Sequence, residues 1–326
     1  MRKKLVLLFF VLSIFLVSCN QENRTQTYLE NNKNIATEQE SLEKIPENEI
    51  GDKFKGYNFT FTDETSVNEQ YQYTFKLSSN SEFQPNITIS NDHDKEINYE
   101  VMFLLNNEQI PVKYKDEKHD YIKIKIPSYS KMNLAKLTFE DFPEGENNLT
   151  AILLREPNQH VQGKNTYVPG NQMVMIQRFS VLVGENSKAP HSSDNVKTIN
   201  SQKTEKQSEP YLTHSSFAPI SDSIGMFSNV NKSLWLNFYA QDNNLYYIGL
   251  IVGKEFVKLD QPYIKTNGEG LASLKIPIDL KNYDTEKNIV AFIIQNPLKS
   301  QVSQNGEINK NVLPYIQPSN IVTYQP

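Results

Sequence analysis

The stretch NLTAILLREP, Asn148 to Pro157, returns later in the chain as NIVAFIIQNP, Asn288 to Pro297. Asn148 matches Asn288, Ala151 matches Ala291 and Pro157 matches Pro297, each at an offset of 140 (288 − 148). The offset persists to Ile176-Gln177 against Ile316-Gln317 and Val181 against Ile321. Upstream, NYEVMFLL from Asn98 matches LYYIGLIV from Leu245 at 147 (245 − 98), so about seven residues separate the two copies in length. A duplication in 326 residues implies two domains, each long enough to bury a core. In the repeated strand Leu149, Ala151 and Leu153 fall on one face and Ile152 and Leu154 on the other, and the second copy keeps that pattern. Apolar residues on both faces mark a central strand. One face meets the opposite sheet, and the other requires a cover from loops, the neighbouring domain or a partner.

The N-terminus reads Arg2-Lys3-Lys4 followed by an apolar run from Leu5 to Val17, the charged and hydrophobic regions of an export signal. The run is shorter than the roughly 20 residues a membrane span needs. Leu16-Val17-Ser18-Cys19 resembles the lipobox of bacterial lipoproteins, and Cys19 is the sole cysteine. The resemblance implies cleavage after residue 18, a lipid on Cys19, and a place on the outer face of the cytoplasmic membrane. The Asn-, Lys- and Ile-rich composition associates the chain with a Gram-positive source. Without residues 1–18 the formal charge goes from −5 to −8 (30 − 38), which argues against nucleic acid as a partner.

Residues 19–52 are polar and charged and read as a disordered tether, in which Thr37 to Lys44 form at most a transient helix without a docking stripe. From Tyr57 the apolar period is two. Tyr57–Phe61, Tyr71–Leu77, Asn86–Ile89, Tyr99–Leu105, Tyr121–Ile126, Leu134–Phe139, Leu149–Leu154 and Met173–Val183 read as strands of a first domain, 53–184. Residues 185–210 hold only isolated apolar residues and read as a linker. Leu234–Phe238, Tyr246–Val252, Leu271–Ile276, Ile289–Ile294 and Asn320–Tyr324 build a second domain, 211–326. The fold class is all-β: two tandem immunoglobulin-like antiparallel β-sandwiches. A polar linker between them predicts that the halves melt separately, with Ala151 and Ala291 packed under something bulky in each.

The order ITISNDHDKEINYEVMFLLNNEQIPV, an alternating strand, and then FPEGENNLTAILL resembles bacterial immunoglobulin-like modules of the cell-adhesion-related (CARDB) type. The resemblance spans Asn86 to Leu154 and, more faintly, Leu234 to Ile294. It implies an adhesion, spacer or ligand-binding role and no catalytic residues.

Chemistry-bearing residues are sparse. Asn91-Asp92-His93-Asp94 brings carboxylates and an imidazole together but falls short of a ligand set and reads as a polar turn. Glu140, Asp141 and Glu144 read as solvated hairpin acids rather than a glycosidase pair. There is no phosphate loop, nucleophile elbow or cysteine nucleophile. We therefore expect no enzyme activity, no metal and no cofactor. The connection after each repeated strand, Asn158–Asn171 and Leu298–Asn311, exceeds what a hairpin needs, and such loops are often functional. Within it His160 and Tyr167, together with the single Trp235, form the candidate binding surface. The function read from the sequence is a membrane-anchored, non-catalytic binding, spacer or assembly lipoprotein facing a cell-wall or other extracytoplasmic protein partner. The alternatives are a transporter's substrate-binding lipoprotein and, third, an extracellular hydrolase.

Overall fold

The structure, a computed structural model, describes residues 41–46, 57–66, 73–79, 81–134, 137–164, 166–184, 195–204, 208–228, 233–280, 283, 285–300 and 315–326. The export signal, Cys19 and the tether as far as residue 40 lie outside the described residues. Regular structure is strand throughout them, apart from short 3-10 turns at Gly170–Gln172 and Ile220–Asp222.

The alternating residues build two sandwiches. In the first, a four-stranded sheet runs Ser41–Lys44, Ser130–Leu134, Asn86–Asn91, Tyr57–Thr62. It faces a sheet ordered Thr74–Leu77, Val174–Val183, Gly145–Arg155, Ile97–Leu105, with Glu108–Ile110 and Ile122–Ile126 both alongside the last strand. Phe59, Phe61, Phe75, Phe83, Phe103, Phe139 and Phe179 fill the space between. In the second sandwich Tyr211–Thr213, Leu234–Ala240 and Gly270–Ile276 face a sheet centred on Leu245–Val252 and Lys287–Gln295. Its core is mostly Leu and Ile. Pairing is antiparallel except where Thr74–Leu77, Val196–Asn200 and Met226–Phe227 lie parallel to a neighbour.

Ala151 and Ala291 are both fully buried, each in its own sandwich core. Ala151 lies beside Phe103, whose ring centroid is 4.8 Å from that of Phe139 and 6.3 Å from that of Phe61. The small side chain leaves room for that aromatic cluster.

Two polar segments contribute more than their composition predicts. Ser41–Lys44, read as tether, pairs with Ser130–Leu134, with Lys131 Nζ 3.2 Å from Glu43 Oε2 and Ile45 buried behind it. Val196–Asn200, read as linker, pairs with Tyr263–Asn267. Both are edge strands held by main-chain hydrogen bonds, so they need little apolar periodicity and show none. Leu134–Phe139 is also not one strand: Leu137 is outside any strand, and Thr138 and Phe139 make single bridges to Lys113 and Phe83.

The copies also slip in register at their last strand. Ile176 lies opposite Ile152 as Pro318 lies opposite Phe292, an offset of 142 (318 − 176). Phe179 lies opposite Leu149 as Val322 lies opposite Ile289, an offset of 143 (322 − 179). The sequence offset of 140 therefore misplaces this strand by two or three residues.

What covers the second apolar face is the other sandwich. Met102, Leu104, Ile152, Leu154, Val161 and Val174 form one buried cluster with Tyr247, Ile251, Val290, Phe292, Ile294 and Ile321. Ser41–Pro326 is accordingly one compact unit. The Phe292 ring lies on the main chain of Gly249, where a Cβ would stand 2.0 Å from its Cζ. Each fully buried side chain of this size contributes about 1.5–3 kcal/mol, so separation would expose a large apolar surface and the expectation of separate melting gives way.

Trp235 reports on the second sandwich alone, which makes the coupling measurable. Ala151→Leu in the first sandwich should destabilise by about 1–3 kcal/mol and shift the Trp235 fluorescence transition with it. A Trp235 transition that stays in place while far-UV circular dichroism moves would mean that the halves unfold independently.

Candidate functional site

The two copies meet reciprocally at two turns, in the manner of an isologous interface. Asn106-Asn107 turns the chain between Ile97–Leu105 and Glu108–Ile110, both residues having positive φ (51° and 72°), which suits Asn in a tight hairpin. Gly253-Lys254 makes the equivalent turn in the second copy, again at offset 147 (254 − 107). Asn107 reaches Tyr247 of the second sandwich, and Lys254 reaches Glu100 of the first, the residue equivalent to Tyr247 (247 − 100). The interface thus has two related ends with different chemistry.

The Asn107 end is filled. The Tyr247 hydroxyl donates to the Asn107 carbonyl at 3.1 Å, and Asn107 Nδ2 donates to the Tyr263 hydroxyl at 2.8 Å. The two tyrosine rings meet edge to face, 5.3 Å between centroids. Arg178, buried opposite Thr150, donates through Nη2 to the Pro297 carbonyl at 2.6 Å, through Nε to Asn148 Oδ1 at 3.2 Å and through Nη1 to Asn107 Oδ1 at 3.4 Å. Burial pulls its pKa down to about 10, against the opposing pull of Tyr263, Tyr247 and Glu146, and it stays charged at neutral pH. Ser300 Oγ donates to Glu146 Oε2 at 2.5 Å.

The Glu100 end is open. Glu100 is 4 % exposed, with Oε1 2.8 Å from Lys254 Nζ and the buried Oε2 without a hydrogen-bond partner. Lys123 sits opposite Glu100 on the neighbouring strand, as Tyr263 sits opposite Tyr247. Where the filled end has two aromatic rings, this end has a carboxylate and an ammonium. A cleft of about 270 Å³ remains, lined by residues that include Asn98, Lys125, Pro157 and Asn158.

The loop from Asn158 to Asn171 is a strap across the second sandwich rather than a free surface loop. Asn288 Nδ2 donates to the Pro157 and Gln159 carbonyls at 3.2 and 3.0 Å. Val161 N donates to Thr323 Oγ1 at 2.8 Å, and Ile321 N donates to the Val168 carbonyl at 2.9 Å. Gly170 lies so close to Ser319 that a Cβ would stand 1.9 Å from its carbonyl oxygen. The second loop is described only to Ser300.

His160 lies on this strap, its Nδ1 2.5 Å from Glu286 Oε2 of the second sandwich. Tyr167 is half-buried, and burial together with the nearby Glu209 raises its pKa. Trp235 is half-buried on the outward face of the three-stranded sheet, between Thr213 and Lys275. None of the three lines the cleft. Cys19 lies outside the described residues. The Asn91 turn is spent on the main chain: Asn91 Nδ2 donates to the carbonyls of Lys95, Ile126 and Pro127 at 2.8, 3.1 and 3.0 Å. Glu140 pairs with Lys118 at 2.9 Å. Glu100 and Arg178 were missed by sequence reasoning, although each is a lone charge inside an apolar run, NYEVMFLL and VMIQRFSVLV.

No family model matches the chain, and no curated protein does. Among solved structures it is similar to the CARDB domain of a Pyrococcus furiosus protein, crystallised in complex with di-metal ions. That likeness has 15% identity and a TM-score of 0.26 over 46% of this chain and 98% of the other. A second likeness is to red sea bream transglutaminase, with 7% identity and a TM-score of 0.23 over 83% of this chain and 31% of the other. Overlaps this loose carry no argument about the site. The sandwich architecture stands on strand order and register.

Arg178→Met removes three charge-assisted bonds and strands buried acceptors, which should cost about 3 kcal/mol or more. Arg178→Lys should recover little of it, because an ammonium lacks the fork that spans Asn148, Asn107 and Pro297. Denaturant melts of both variants check this. The alkaline limb carries a second test. Burial raises the pKa of Tyr247 above its ordinary value, as it does for Tyr167, Tyr211 and Tyr283. Above about pH 10 the unfolded chain therefore binds fewer phenolic protons than the folded one, and stability falls as pH rises. Arg178, depressed to about 10, works in the opposite direction over the same range. Tyr247→Phe should make the fall above pH 10 shallower, measured by urea unfolding across that range.

Proposed function

We propose that the chain is an extracytoplasmic lipoprotein, held to the outer face of the membrane through Cys19, whose paired sandwiches form a non-catalytic binding, spacer or assembly body. The observation that carries the body's role is the shared apolar layer. It converts two small sandwiches into one stiff unit, suited to holding a binding surface at a fixed geometry. The anchor reading rests on Arg2 to Cys19, where charges, a short apolar run and a lone cysteine occur in the order that export and lipidation require. Two acyl chains make such an anchor stable, where one binds only marginally. The resemblance of Asn86 to Leu154 to adhesion-related modules points the same way.

A second reading, a receptor for a small solute, is favoured by the cleft between the sandwiches at Glu100. Binding sites gather at the boundaries between domains.

Fractionation of cells expressing Cys19→Ala tests the anchor: the protein should leave the membrane fraction for the medium or accumulate unprocessed. Equal retention of the variant in detergent partitioning would overturn it. Cross-linking on intact cells, followed by recovery of the chain, tests the assembly role and should return a reproducible extracytoplasmic protein or wall component.

A further inference from the structure

We propose that Asn267-Gly268 is a self-modification site: it converts to an aspartyl or isoaspartyl linkage when the edge strand Val196–Asn200 lifts, and the conversion keeps that strand from returning. The proposal stands apart from the anchor and binding readings above.

The chemistry needs only this pair and water. The Gly268 nitrogen attacks Asn267 Cγ and the new C–N bond closes a succinimide ring, while the Gly268 amide proton and the carboxamide NH2 leave together as ammonia. Water then opens either carbonyl of the ring, giving an aspartyl or an isoaspartyl residue and one added negative charge. Glycine permits the attack because no side chain shields its nitrogen. Asn267 is exposed at the end of Tyr263–Asn267, and Gly268 has a φ of 89°. Outside its chain neighbours, a Cβ on Gly268 would meet nothing nearer than the Ser201 carbonyl oxygen at 3.9 Å.

The folded state restrains the reacting groups. Gly268 N donates to Asp242 Oδ1 at 2.6 Å. A carboxylate that accepts from an amide favours its protonated form and opposes the anion that attacks. Asn267 Nδ2 donates to Asn200 Oδ1 at 3.0 Å, and Ser201 N donates to the Asn267 carbonyl at 3.0 Å. Two of the three restraints thus come from the edge strand and the residue after it. That strand is weakly held: four of its five residues are exposed, Ile199 alone packs against the core, and it pairs only with Tyr263–Asn267. Segments with so little burial open locally ahead of the rest of a domain.

The products do not fit the place of the asparagine. An isoaspartyl linkage adds one atom to the main chain between the Cα of residue 267 and Gly268 N, and turns the carbonyl that Ser201 uses into a free carboxylate. The aspartyl product puts its carboxylate on the side chain instead. Either charge stands beside Asp242, which is bonded to the adjacent amide, and like charges at that range repel.

Peptide mapping by mass spectrometry, on the full folded chain aged in mildly alkaline buffer, tests the proposal. Asn305-Gly306, the other Asn-Gly pair, serves as the clock, since trypsin leaves the two sites in separate peptides, 266–275 and 300–310. Asp242→Ala, a change at an exposed side chain, should speed conversion at Asn267 about ten-fold, the worth of a charge-assisted hydrogen bond. Ile199→Ser touches none of the reacting atoms and loosens only the strand; it should speed conversion too, with the rate at Asn305 unchanged in both variants. Converted chains, recognised by enzymatic methylation of isoaspartate, should be cut after Lys197 by brief trypsin treatment sooner than unconverted ones. Conversion at Asn267 that neither variant changes, its absence in Ile199→Ser, or converted chains cut after Lys197 no faster than the parent would each overturn the proposal.

Discussion

The face of each repeated strand that points away from its own core carries Ile152 and Leu154 in one copy and Val290, Phe292 and Ile294 in the other. Among the described residues neither sandwich has a further layer of its own with which to cover that face. A monomer seldom leaves so large an apolar patch in water, so each copy serves as the third layer of the other. The consequence reaches inward. Gly249 has no side chain because the Phe292 ring occupies its place, and the strand pair can approach only with that glycine present. Stability of either half is then a property of both.

An aliphatic layer is not directional, and by itself it would let the sandwiches slide or turn on one another. The polar groups around its rim supply the register. Asn107 serves Tyr247, Tyr263 and Arg178 at once, and Arg178 ties Asn148 to Pro297. At the other side Asn288 holds Pro157 directly, and Thr323 Oγ1 bonds both Asn288 Oδ1 and Val161 N. The Asn and the Pro that bracket the repeated strand in the sequence are therefore the residues that clasp across the interface: each copy's Asn acts on the other copy's Pro, through Arg178 in one direction and directly in the other. The three acceptors on Arg178 are met together in one arrangement only, so the same bonds that stabilise the interface also fix its register.

Much of this was legible before any coordinates. Period-two alternation located the strands, and apolar residues on both faces of Leu149–Leu154 showed that something had to cover the second face. Ala151 betrayed a crowded core because it is one small residue among large ones. What stayed hidden was whatever rests on main-chain bonding. Val196–Asn200 and Ser41–Lys44 join sheet edges without burying a stripe, and so look like linker and tether. The strap from Asn158 reads as an open loop because many of its hydrogen bonds run through main-chain carbonyls and amides, which no side-chain pattern encodes. The register slip at the last strand is hidden too, since equal residues at offset 140 mimic an alignment that the hydrogen bonds do not follow.

The two ends of the interface supply an internal control that few proteins offer. A duplicated pair of sandwiches begins with like ends, and the filled end shows that a tyrosine on the strand and another on its neighbour make a stable closure in this very geometry. The packing of the fold therefore does not require Glu100 or Lys123. A buried carboxylate with one unmet oxygen is costly to the folded state, more costly than the tyrosine that stands in its related place. Lys254 offsets part of that cost, and could do so only from the second copy, since its turn points at the first. A charge that weakens the fold, in a position where the same molecule displays an apolar alternative, is where the two copies have diverged most in chemistry.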